Sequence, residues 1–122
     1  MGFSRIVMRL ARNPGTEFAD GDDHRGYAMV APLTAEGRLD EAAFRQHRAA
    51  CVVRRFAPDE DPVEGRLARR GDRWTFDYGD QTDADEPVYR LGDHRFAVGE
   101  YVSVTDEDGR LLTYKVTDVV AV

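Results

Sequence analysis

A mainly β fold, α+β by virtue of one short helix, is what this sequence predicts: a small, mostly antiparallel β-barrel or strongly bent sheet. Three observations carry the prediction. Apolar and polar residues alternate with period two in short runs along much of the 122-residue chain. Only the run 41–50 has the composition of a helix. There is neither a repeating strand-and-helix pattern nor a phosphate-binding glycine loop, as a parallel α/β sheet would show. With 42% hydrophobic and 33% charged residues, the chain has material for one ordinary core, so a single domain over 1–122 is expected.

In "FSRIVMRLAR", 3–12, Ile6, Met8 and Leu10 share one face and Arg5 and Arg9 the other, which predicts a half-buried strand ended by "NPG". The Asp- and Gly-rich "TEFADGDDHRG", 16–26, reads as an exposed loop. "YAMVAPL" alternates again, Tyr27, Met29 and Ala31 against Ala28 and Val30, until Pro32. Asp40 is a good N-cap for a helix over 41–50, with Leu39 placed to staple against Phe44 and with Leu39, Ala43, Gln46 or His47, and Ala50 on one face. "CVVRRF", 51–56, follows as a strand, broken by the two prolines and four acids of "APDEDPVEG".

A hairpin about Gly71-Asp72 is the clearest local signal. It pairs Arg70 with Arg73, Arg69 with Trp74, Leu67 with Phe76 and Arg66 with Asp77, setting Leu67, Trp74, Phe76 and Tyr78 on one face. An acidic loop, 79–87, leads to a second hairpin, "EYVSVT", "DEDG", "RLLTYKV", whose inner face is Val102, Val104, Leu112, Tyr114 and Val116. "TDVVAV" extends or follows its last strand. The total is about seven strands.

Charge narrows the function. The net charge is −6: residues 1–70 hold 12 Arg and 11 acids, whereas 71–122 hold 5 basic residues and 12 acids. That field repels phosphate backbones and anionic membranes, which makes nucleic acid an unfavoured partner. No apolar run is long enough to span a bilayer, and the first residues do not form a signal peptide; with one cysteine, Cys51, the expectation is a reducing, cytoplasmic setting.

Four groups of residues have the makings of chemistry. His94 with Asp93, Arg95 and Glu100 lies just before a strand; His24, beside Asp22 and Asp23, with His94 and Glu100 forms the ligand set a divalent metal or an acid/base enzyme would need, though the spacing matches no ligand motif. "DEDG", 106–109, fails as a calcium loop, because Val104 and Lys115 stand where carboxylates are required, and reads as a turn. Trp74, Phe76 and Tyr78 beside Arg66, Arg69, Arg70 and Arg73 have the pattern of a stacking platform for single-stranded nucleic acid, against which stands the need of a small domain to bury its rings. Cys51 and His47 are the one thiol and imidazole pair, four residues apart. No nucleophile elbow, zinc motif or nucleotide loop occurs, and no cofactor is implied.

"FAVGEYVSV", with "DEDG" and "YKV" after it, resembles the strand patterns of SH3-like and PUA-like small β-barrels over residues 96–116. The layout "APLTAEGRLDEAAFRQHRAACVVRRF" with "GDHRFAVGEYVSV" resembles a group of short uncharacterised bacterial proteins, a resemblance that implies no activity. The expectation is therefore a non-enzymatic binding or interaction domain for a protein or small ligand, with His94, Glu100, Asp93, Arg95 and Trp74 as its candidate contacts. A homodimer is a further expectation, in which Arg54, Arg55, Arg69 and Arg70 face the acids of 79–86 and 106–108 across a two-fold axis.

Overall fold

In the computed structural model, eight strands curl into an antiparallel barrel; the residues described are 2–71, 73–79, 86–88, 91–105 and 109–122, the side chains of 86 and 87 excepted. The strands are β1 Gly2–Leu10, β2 Asp22–Leu33, β3 Val52–Ala57, β4 Glu60–Arg70, β5 Arg73–Asp77, β6 Glu86–Val88, β7 Tyr101–Thr105 and β8 Leu111–Ala121. Each pairs with its chain neighbour, and β8 returns to pair with β1 and close the barrel. The one α-helix, α1, is Glu41–Gln46; single 3-10 turns, Arg48–Ala50 and Leu91–Asp93, follow it and β6.

Alternation decides which side chains enter the barrel. Ile6, Met8 and Leu10 of β1, Tyr27, Met29 and Ala31 of β2, Trp74 and Phe76 of β5, and Val102, Val104, Leu112, Tyr114 and Val116 of β7 and β8 are all buried. Tyr27 lies at the centre, its ring 4.9 Å from that of Phe76 and 5.0 Å from that of Tyr114. Side chains therefore fill this interior, as expected of an eight-stranded barrel. The β4–β5 register runs Arg66↔Asp77, Leu67↔Phe76, Arg69↔Trp74 and Arg70↔Arg73, as the sequence predicts, and Gly71 has the positive φ, 66°, that a tight hairpin turn needs. Asp72 and 106–108, on which the rest of that turn and the "DEDG" turn depend, lie outside the described residues.

Four expectations change. Part of the predicted 16–26 loop is strand: β2 starts at Asp22, where a bulge in the β1 pairing between Arg9 and Leu10 carries it past the core; this end is polar and mostly exposed, so its sequence lacks alternation. The predicted break at 57–65 is only a tight turn at Pro58 and Asp59, the latter at φ 61°, after which β4 begins at once. The three-residue β6 is too short to show a period, which brings the predicted seven strands to eight among the described residues. The helix predicted over 41–50 stops at Gln46 and tightens into a 3-10 turn, because the chain must turn Cys51 into the core before β3. Asp40 caps it, its carboxylate accepting from the Ala43 N–H at 3.1 Å, but the buried helical residues are Ala43 and Phe44; Gln46, His47 and Ala50 face outward.

Candidate functional site

The strap between β6 and β7 carries Asp93, His94, Arg95 and Glu100. Its apolar members fix it: Leu91 and Phe96 are buried, while Asp93, Arg95 and Glu100 are exposed and His94 half-buried. Two hydrogen bonds hold it to the 34–38 turn, Phe96 N–H donating to the Gly37 carbonyl at 2.8 Å and the Arg38 guanidinium donating to the Asp93 carbonyl at 2.7 Å. At the far end the Glu100 carbonyl accepts from Val116 N–H at 2.8 Å. These residues thus close the barrel with backbone and apolar side chains.

His24 is exposed at the outer end of β2, where its N–H donates to the Asp22 carboxylate at 2.9 Å, and Asp22 also meets Arg25 at 3.6 Å. Among the described residues, no three His, Cys, Asp or Glu side chains gather closely enough to hold a metal ion, so His24, His94 and Glu100 do not form one ligand set. The stacking platform is also absent: Trp74, Phe76 and Tyr78 are buried, at 4%, 0% and 3% exposure, because a barrel this small needs these rings as core. Trp74 accordingly offers no exposed face to a ligand. Its ring lies 4.8 Å from that of Phe44, edge to face, with the Arg69 guanidinium 4.9 Å from its centroid.

Cys51 and His47 do not pair as thiol and imidazole. The Cys51 thiol is buried and donates to the His47 main-chain carbonyl at 3.6 Å, while the His47 ring stacks edge-on against Phe3. Burial raises the thiol pKa above its ordinary value, which disfavours the nucleophilic thiolate.

The strongest chemical feature lies elsewhere, between β4 and the segment formed by α1 and its following 3-10 turn. A cleft of about 340 Å³ opens there, with Phe44 and Leu67 as its apolar lining and Arg48, Arg66, Arg69 and Arg70 around it; among the described residues Asp77 is the one acid in the lining. Local structure accounts for each position. Arg66 and Arg70 occupy alternate, outward positions on β4, whereas Leu67 and Arg69 share the inward face with Trp74 and Phe76. Arg48 starts the 3-10 turn, its guanidinium 5.7 Å from the Phe44 ring.

Partners fix only some of these cations. Arg70 pairs with Asp77, and Arg69 reaches Glu41 at 3.4 Å. Arg66 donates to the Ala49 carbonyl at 3.3 Å, and among the described residues neither Arg66 nor Arg48 has a carboxylate at ion-pair distance. On the other side of Arg66, a cleft of about 310 Å³ is lined by Glu64, Asp77, Tyr78 and Gly65, so positive and negative surfaces adjoin along one hairpin. Three of the four arginines assigned to a homodimer are engaged within their own molecule: Arg69 and Arg70 as above, and Arg55 over the Tyr78 ring at 4.9 Å. Of the acids set against them, 80–85 and 106–108 lie outside the described residues.

The sequence signals Arg66, Arg69 and Arg70, but assigns them to a stacking platform whose aromatic rings the structure buries. Arg48 carries no local signal, because only the turn after α1 brings it to β4. No family model, curated protein or solved structure matches the chain. No helix of the described residues is long and apolar enough to cross a membrane.

Proposed function

We propose that this barrel is a non-enzymatic binding module that receives an anionic group of a protein or small-molecule partner in the cleft between α1 and β4. One observation carries the reading. A chain of net charge −6 concentrates four guanidinium groups around one apolar-lined cleft, where among the described residues Asp77 and Glu41 engage Arg70 and Arg69 and the other two guanidinium groups have no ion-pair partner. A concave surface lined by one sign of charge focuses its field on a counter-charged ligand, and guanidinium groups match carboxylate or phosphate oxygens two at a time. The packed interior supports an external site, since Tyr27, Phe76 and Tyr114 occupy the space a ligand would take.

Citrate, a small tricarboxylate, serves as the probe, and Trp74 beneath Arg69 as the reporter. Titration at low ionic strength is expected to change Trp74 emission saturably. The exposed pair Arg48→Ala with Arg66→Ala should weaken binding about tenfold or more, the loss expected from removing charge-assisted bonds. Absence of a saturable change in the native protein, or equal affinity in the double variant, overturns the reading.

A further inference from the structure

The main chain beside the cleft narrows the partner. Arg70 and Arg73 flank the two-residue hairpin turn and therefore form its closing hydrogen-bonded pair. In an antiparallel ladder bonded and non-bonded pairs alternate, so Ala68 with Thr75 and Arg66 with Asp77 are bonded pairs, and Leu67 and Arg69 turn their main-chain groups away from β5. The Leu67 N–H accords with this, donating to the Cys51 carbonyl at 2.9 Å.

Past that bond β4 loses its neighbour. β3 begins at Val52, whose register partner is Arg66, so no strand lies beside β4 at 67–70 on that side among the described residues. The Leu67 carbonyl and the Arg69 N–H and carbonyl consequently form a short free edge, directed toward the side on which the cleft opens. An unpaired edge is a template for another strand.

We infer that the cleft is a docking edge for an extended acidic peptide, which adds to β4 through the Arg69 N–H and carbonyl while its carboxylates meet Arg48 and Arg66. The inference rests on the anion-binding reading above and gives it a partner class. Charge complementarity selects the acidic character, and the alternation of a strand divides the peptide's side chains between two surfaces. One set faces Phe44 and Leu67 and the other the outward arginines, so acidic and apolar residues should alternate. A nucleic acid lacks the amide ladder that the edge would read, and finds Trp74, Phe76 and Tyr78 buried.

The test uses the whole protein with three probes: an end-blocked Glu-Val-Glu-Val-Glu peptide, the same peptide N-methylated at alternate amides, and citrate. The plain peptide is expected to bind and to slow hydrogen exchange of the Arg69 amide about tenfold or more, as a newly formed main-chain bond does. N-methylation keeps every charge and removes strand pairing, so it should weaken binding about tenfold. Equal affinity of the two peptides, an unprotected Arg69 amide in the complex, or citrate binding without peptide binding overturns strand addition and leaves the anion site standing. Failure of both citrate and peptide removes the anion site as well.

Discussion

Asn13 stands in for a strand residue that the chain does not have. Just past β1, its side-chain oxygen accepts from the Thr113 N–H at 2.9 Å, while its amide nitrogen donates to the Thr113 and Ala11 carbonyls at 3.1 and 2.8 Å. The side chain thus continues the β1–β8 ladder around the "NPG" turn, and it is 8% exposed. Asn13→Asp keeps the shape but sets an acceptor against two carbonyls. It should cost about 2–3 kcal/mol at neutral pH by urea unfolding, the penalty of a buried charged group deprived of donors. The deficit should shrink in acid, where the carboxyl regains a proton to donate; a deficit independent of pH would refute this account. Cys51 supplies a second test. Burial raises its pKa, so above the ordinary thiol range, about 8.5, the unfolded chain releases a proton that the folded chain keeps. Stability from this group is therefore complete below that pH and declines as pH rises above it. Cys51→Ala should show a shallower fall in unfolding free energy between neutral and alkaline pH than the native protein; parallel curves would exclude the thiol as the source.

At the level of elements, the barrel depends on places where two strands come unusually close. Gly26 is the sharpest: a Cβ built on it would stand 1.9 Å from the Met8 carbonyl oxygen, beside the β1–β2 bulge. Backbone cannot yield there as a flexible side chain can. Gly26→Ala is expected to cost about 3 kcal/mol, the upper end of overpacking penalties, and to lower the thermal midpoint accordingly. A midpoint unchanged within error would mean that the bulge relaxes freely. The sequence shows which glycine-bounded runs alternate, and so reveals both main hairpins, including each β4–β5 pair, because those pairings are local and one buried face fixes their register. It does not reveal β6 or the polar start of β2, whose pairing is imposed by neighbours and leaves no period in their side chains. The helix is legible at its start, where Asp40 caps it, and not at its end, which tertiary packing of Cys51 sets.

For the molecule as a whole, the candidate cleft was only half legible for a related reason. Arg66, Arg69 and Arg70 are neighbours in sequence, but Phe44 and Arg48 reach them only through the turn after α1 that leads into the β3–β4 pairing, and residues 93–95 belong to a strap held by Leu91 and Phe96. Closure is itself uneven. β1 pairs along its full length, Gly2–Leu10, with β2 and from Ser4 to Leu10 with β8, whereas among the described residues β6 and β7 share the single register pair Val88↔Val104. Strand pairs contribute through cross-strand contacts and ladder bonds, so the seam with the fewest pairs among the described residues opens at the smallest free-energy cost. Native-state hydrogen exchange should therefore find amides at the β6–β7 seam exchanging through an opening well below the global unfolding free energy. Amides at Ile6 and Met8, whose side chains are wholly buried in a strand paired on both sides, should exchange only by global unfolding. The β4 arginines of the cleft are separated from the seam by the β4–β5 and β5–β6 pairs, so the two regions give separable signals. Exchange at the seam with the same free energy and denaturant dependence as β1 would show the barrel opening as one unit, and the weak-seam account would fail.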